Sequence, residues 1–240
     1  MKLLLISLLL VIGYLLFVYA RFYYVIGMKD LKAPTQTQYT VAGSASSGLA
    51  KYVALGDSLT AGVGASSYQK TLVYLYAKKL SLVSGSVQVV NLGVPGATTR
   101  DLITSQLPQV TREKPDHITL LIGINDLHNR VSVKEFAKNF EIILDSLVTS
   151  TDAQITVLNL PYLGSTQEVL PPFNKILNFQ TKQFNDIISA QVLEHNLKLV
   201  DLYGLSYDQT FNNTEFYSED LFHPGDGGYQ LWSQILADAD

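Results

Sequence analysis

Two short blocks of the chain hold the side chains that acyl transfer requires. Gly56-Asp57-Ser58-Leu59-Thr60-Ala61-Gly62 follows an aliphatic run, so Ser58 falls at a strand-to-helix turn where its hydroxyl can face a cleft. A hydroxyl is a weak nucleophile near neutral pH and needs a base to take its proton, a task suited to an imidazole, whose ordinary pKa lies near 6.5. Near the C-terminus, Asp220-Leu221-Phe222-His223-Pro224 sets a carboxylate three residues before a histidine. Two further blocks end strand-like runs: Asn91-Leu92-Gly93-Val94-Pro95-Gly96-Ala97-Thr98-Thr99 and Gly123-Ile124-Asn125-Asp126. Taken singly, each has a plain structural explanation. Serine and aspartate after a strand commonly cap a helix, glycines permit turns, and an Asp–His pair can be a surface contact. The Ser58 block is neither the G-x-S-x-G elbow, because Thr60 stands where the second glycine belongs, nor a phosphate-binding loop, because G-x-x-x-x-G-K is absent.

Positioning such loops requires a scaffold, and the chain supplies an alternating one. Short aliphatic or β-branched runs at Tyr52–Leu55, Val87–Leu92, Ile118–Ile122, Ile155–Leu158 and Leu197–Leu202 read as five strands. Helical patterns lie between them at about Tyr68–Val83, Thr99–Gln109, Val133–Thr149 and Phe173–Glu194, with a last helix near Gly227–Ala237. Continuous apolar strands alternating with helices predict a parallel sheet covered on both faces, with functional groups in the loops at the carboxyl ends of the strands.

In order, spacing and placement after successive strands, the four blocks together resemble the SGNH (GDSL-type) hydrolases, over Lys51 to Ala237. The resemblance implies a three-layer α/β/α fold with a five-stranded parallel sheet and a serine esterase activity. It implies Ser58 as nucleophile, His223 as general base and then acid, and Asp220 as the triad acid, the most dispensable of the three. It further implies an oxyanion hole made by the backbone N–H groups of Ser58 and Gly93 and the side-chain amide of Asn125. Asp57 is expected to stabilise its turn and Asp126 to cap the helix that follows it. The same fold admits two other readings: acyl transfer to a sugar instead of water, or a catalytically silent glycan-binding protein.

The remaining histidines, His117, His128 and His195, lack a partner acid at triad-like spacing, and His128 is either a surface residue or a contact to substrate. Neither H-E-x-x-H nor a carboxylate cluster is present, so a reaction without metal or other cofactor is expected. The Pro161–Pro172 loop is either a substrate-shaping rim or a surface connection.

The chain of 240 residues is 47% hydrophobic and 16% charged, with a net charge of -4, which provides no basic surface for nucleic acid. With no cysteine, thiol catalysis, disulfides and cysteine-linked lipid are excluded. The uncharged run from Leu3 to Ala20 covers about 27 Å as a helix, close to the ~30 Å hydrocarbon core of a bilayer. Residues 1–28 are expected to form a transmembrane signal anchor, although Val18 and Ala20 also suit a signal-peptide cleavage point. The small polar stretch within 29–49 reads as a flexible linker, and 50–240 as the hydrolase domain. An extracytoplasmic, membrane-anchored enzyme acting on acyl or acetyl esters of the cell envelope is the resulting expectation; a cleaved N-terminus would make it secreted.

Overall fold

The computed structural model describes residues 2–28, 32–43, 48–162, 169–210 and 213–239. Six strands form one sheet in the order β1-β3-β2-β4-β5-β6: β1 (Gln38–Val41), β2 (Leu49–Gly56), β3 (Ser86–Asn91), β4 (His117–Leu121), β5 (Gln154–Leu158) and β6 (Lys198–Val200). Strands β2 to β6 are parallel, whereas β1 runs antiparallel along the outer edge of β3. The expected five-stranded parallel sheet is therefore corrected to a six-stranded mixed one. The sixth strand, β1, comes from the stretch expected to be a flexible linker. Its four residues Gln-Tyr-Thr-Val are too few to stand out as a period, yet Val41 is buried and Tyr39 packs on Tyr68 and Tyr74.

The helices are α1 (Lys2–Met28), α2 (Ser58–Ala61), α3 (Leu72–Ser84), α4 (Thr99–Ser105), α5 (Leu107–Glu113), α6 (Ile124–His128), α7 (Val133–Ser150), α8 (Phe173–Glu194), α9 (Leu202–Thr210) and α10 (Asp226–Asp238). After β2 the chain steps through α3 to β3, then back across β2 to β4 and onward to β5 and β6. Strand order thus reverses around β2, the strand that delivers Ser58, and such a reversal opens a crevice at the carboxyl ends of the strands. Helix α10 packs on α3, while α7 contacts α4, α5 and α8.

Tyr52, Val53, Ala54 and Leu55 of β2 are fully buried, as a central strand covered on both faces requires. Helix α7 starts at Ser132, whose hydroxyl accepts from the Glu135 N–H. It turns Phe136, Phe140, Ile143, Leu144 and Leu147 inward, three or four residues apart. Phe136 stacks on Phe184 of α8, which fixes α7 against its neighbour. Each such side chain contributes about 1.5–3 kcal/mol on full burial.

A single long helix expected over Thr99–Gln109 is two, α4 and α5, separated at Gln106. Pro108 explains the break: it has no N–H and crowds the preceding turn, so it opens a new helix more readily than it continues an old one.

Helix α1 leaves most of its length bare. Between Leu3 and Phe17 every residue but Ser7 and Gly13 is large, apolar and exposed, while Val18 and Phe22 are buried against the rest of the molecule. Its tyrosines also bond there: the Tyr14 hydroxyl donates to the Pro171 carbonyl at 2.9 Å and the Tyr23 hydroxyl to the His128 carbonyl at 3.0 Å.

Candidate active site

The turn after β2 is locked before any chemistry is considered. Asp57 caps α2 by accepting the Leu59 N–H at 3.0 Å, as expected of a turn-stabilising residue. The buried Gln106 side chain supplies what the end of β2 would otherwise lack: its amide donates to the Gly56 carbonyl at 2.7 Å, and its oxygen accepts the Gly56 N–H at 2.9 Å. Asn91, at the end of β3, donates to the Thr60 carbonyl at 2.8 Å and so ties α2 to the Gly93 block. Gly93 must be glycine for reasons of packing, because a Cβ there would lie 2.5 Å from the Ala61 nitrogen.

His223 is presented by a short return of the chain. Tyr217 and Pro224 form an isolated antiparallel bridge, and the Ser218 N–H donates to the His223 carbonyl at 2.8 Å. Asp226, at the start of α10, accepts from the N–H and the hydroxyl of Ser66 at 2.8 and 2.7 Å, and the Tyr229 hydroxyl donates to the Val63 carbonyl at 2.7 Å. These bonds fasten the segment after α2 to α10 and bring residues 165 positions apart into contact.

Ser58, His223 and Asp220 then stand in series. The Ser58 Oγ lies 3.0 Å from His223 Nε2, and His223 Nδ1 lies 2.6 Å from Asp220 Oδ2. The second Asp220 oxygen accepts the Ser218 hydroxyl at 2.8 Å and the N–H groups of Phe222 and His223 at 2.8 and 2.9 Å. Burial alone would raise the Asp220 pKa, but the His223 imidazole and these donors outweigh it and hold the carboxyl below its usual range. A carboxylate kept ionised fixes the proton on Nδ1, which leaves Nε2 as the acceptor facing Ser58.

Of the residues expected to meet an oxyanion, Gly93 packs against Thr60 and Ala61 of the Ser58 turn, and two of the expected donors already have partners. The Gly93 N–H donates to Asn91 Oδ1 at 3.0 Å, and the Asn125 amide donates to the Ala97 carbonyl at 3.0 Å. The amide of Asn125 carries a second proton. Asp126 does not cap the following helix as expected. It is buried and accepts the Thr99 N–H at 2.8 Å and the Thr99 hydroxyl at 2.5 Å, which ties the block after β4 to the start of α4. Ser132, six residues further on, caps α7 instead.

Sequence reasoning passed over Asn91, Gln106 and the surroundings of His128. The His128 ring lies beside Phe222 and Phe22, with centroids 5.4 and 5.6 Å away, and burial followed by the neighbouring His223 pushes its pKa down to about 4. His117 opens β4, and His195 ends α8 with its ring bonded to Asp145 and to the Gln191 carbonyl. Of the Pro161–Pro172 loop, residues 163–168 lie outside the described residues; Tyr162 and Val169 on either side are buried. Among the described residues no cluster of three potential metal ligands occurs.

Comparison with known proteins places the chain in a family. The spore germination lipase LipC of Bacillus licheniformis is 24% identical over 202 residues, covering 78% of this chain and 94% of LipC. An acetylxylan esterase of Geobacillus stearothermophilus is 37% identical over 125 residues, 48% of this chain and 54% of that enzyme. Among solved structures, the lipase/acylhydrolase from Enterococcus faecalis superposes with a TM-score of 0.65 at 26% identity, covering 79% of this chain and 94% of its own. The profile of the GDSL-like lipase/acylhydrolase family matches residues 54–231. Because that match runs from the central strand into the last helix, the chain belongs to the GDSL-like lipase/acylhydrolase family and is a hydrolase of carboxylic esters.

Proposed function

We propose that the protein is a serine esterase that cleaves acyl or acetyl esters of cell-envelope glycans or lipids through an acyl-serine intermediate. The observation that carries this reading is the continuous hydrogen-bonded series from Ser58 through His223 to Asp220. His223 Nε2 takes the proton of Ser58 as its oxygen attacks the ester carbonyl, then passes that proton to the leaving alcohol. Water, deprotonated by the same nitrogen, releases the acyl group and restores the serine. Asp220 holds the imidazole in the required tautomer and stabilises its charged form. Negative charge on the carbonyl oxygen is received by the Ser58 N–H, the second amide proton of Asn125 and the Gly93 N–H, which shares itself with Asn91 or turns away from it.

Residues 1–28 serve as the membrane anchor, 29–49 as a connecting segment from which β1 joins the sheet, and 50–240 as the catalytic domain outside the cytoplasm. The length and apolarity of α1 support the anchor, since its candidate span Lys2–Tyr24 has a mean hydropathy of 2.7. The test is hydrolysis of p-nitrophenyl acetate and longer p-nitrophenyl esters by the detergent-solubilised full chain, beside Ser58→Ala and His223→Ala of confirmed fold. Loss of activity in both variants, with fluorophosphonate labelling confined to Ser58, is the expected outcome. Turnover retained by Ser58→Ala rejects the serine mechanism, and product analysis with a sugar acceptor present separates hydrolysis from transfer.

A further inference from the structure

The contacts described for α1 lie at the end of the molecule that carries Ser58. Tyr14 bonds the carbonyl of Pro171, just ahead of α8; Tyr19 packs on Phe173, the first residue of α8; and Tyr23 bonds the carbonyl of His128, the last residue of α6. Arg130 lies over the Tyr19 ring at 5.0 Å. Phe22 is buried among Phe173, His128 and Phe222, with centroids 4.9, 5.6 and 6.1 Å away, and Phe222 in turn stands edge-on to His223 at 5.2 Å. Segments that follow strands in a parallel sheet lie at the strands' carboxyl ends, so every one of these contacts lies on the catalytic face.

The length of bare helix adds a second constraint. Leu3 to Phe17, the exposed apolar section, covers about 22 Å at 1.5 Å per residue, whereas the hydrocarbon core is ~30 Å thick. The missing ~8 Å is made up by the docked section or by local thinning of the bilayer, tilt only increasing the shortfall. In a bilayer of ordinary thickness, helix α1 reaches across when the docked turn around Val18 to Phe22, and the protein surface packed on it, sit at the level of the headgroups and upper acyl chains. That surface continues along α8 as Ile176 and Phe179, both exposed and spaced three residues apart after Phe173.

From these contacts we infer that α1 holds the catalytic face against the bilayer, so that the ester substrates it reaches have their acyl chains held in the membrane. The inference rests on the serine-esterase reading for its substrate and on α1 alone for its geometry. A lipid surface is the partner, and Phe22, wedged between the anchor and the His223 loop, is the joint between them.

The chain contains no cysteine, so single cysteines report position cleanly. Ile176→Cys and Leu193→Cys in the full chain, each carrying an NBD fluorophore, are reconstituted into phospholipid vesicles containing a nitroxide-labelled lipid. Both sites are exposed, and Leu193 lies about 26 Å further along α8, toward the amino ends of the strands. Strong quenching at position 176 with little at 193 is expected; equal quenching at the two, or none at 176, overturns the orientation. In the same vesicles, the wild-type chain is given p-nitrophenyl acetate in water and 1-palmitoyl lysophosphatidylcholine in the bilayer. Cleavage of both supports the inference. Cleavage of the acetate alone overturns the membrane substrate while the serine mechanism stands. Failure of both esters, with Ser58 unlabelled by a fluorophosphonate, rejects the serine reading and the membrane substrate together, and the quenching pattern still decides the orientation.

Discussion

Asn125 is the residue whose role is sharpest to test, because its amide divides its two protons. One is committed to the Ala97 carbonyl, which fixes the plane of the group, and the proposed mechanism assigns the other to a developing oxyanion. Asn125→Ala is therefore expected to lower kcat by about 10²–10³-fold with little change in KM, since the bond forms only as charge develops. Steady-state kinetics on a p-nitrophenyl ester separates the two constants, and a rise in KM at unchanged kcat would assign Asn125 to ground-state binding instead. Asp220→Asn should cost less than His223→Ala, because Oδ1 would still organise Ser218 and the loop N–H groups, although the imidazole would lose its ionised partner. The side chains proposed to react could be singled out in the sequence because each sits inside a short local block. Asn91, Gln106 and His128 were not, because what they do depends on partners brought from 31, 50 and 105 positions away. Nothing near them in the chain marks those partners.

The elements divide along the same line. The central strands are buried along most of their length and are therefore largely apolar, so β2 to β5 could be read within a few positions. Strand β1 is an edge of four residues, and α9 carries Leu202, Ser206 and Thr210 inward with a glycine between them, a face too polar to register as amphipathic. The split between α4 and α5 was hidden for another reason: a helical pattern runs on past Gln106, while the Gln106 side chain is diverted to the end of β2. Asp126 is the element-scale counterpart, joining the block after β4 to α4 through both Thr99 bonds. Asp126→Ala strands the buried Thr99 N–H, and a loss of about 1–3 kcal/mol in urea-induced unfolding is expected. Thr99→Val removes the hydroxyl's bonds to Asp126 and Asn139 but spares the N–H, so it should cost less. An equal loss in both variants would mean that the hydroxyl carries the contact.

At the scale of the whole molecule, two buried titratable groups near the site set opposing pH dependences of stability. Asp57 is fully buried with one oxygen unpartnered, and burial, only partly offset by the Leu59 N–H, raises its pKa to about 7. Between its ordinary value of 3.8 and about 7 the folded chain holds this proton more firmly than the unfolded chain, so stability falls as pH rises. His128 works the other way. Part of the residue reaches the surface, but its ring is packed beside Phe22 and Phe222, and its pKa drops from 6.5 to about 4. Over that window the unfolded chain binds the extra proton, so stability rises with pH and is lost as pH falls through about 4. A single proton corresponds to about 1.4 kcal/mol per pH unit, so near pH 5 the two contributions largely cancel. Urea-induced unfolding across pH 4.5–6.5 should therefore show stability climbing with pH in Asp57→Asn and declining with pH in His128→Phe, each relative to wild type. Parallel profiles in all three proteins would remove both groups from the pH dependence. The His128 arm also reports on α1, because the Phe22 ring is part of what keeps water from the imidazole: Phe22→Ala should return the His128 titration, followed by NMR, toward its ordinary value. An unchanged titration would mean that Phe222 and the domain alone desolvate His128, with α1 electrostatically separate from the site.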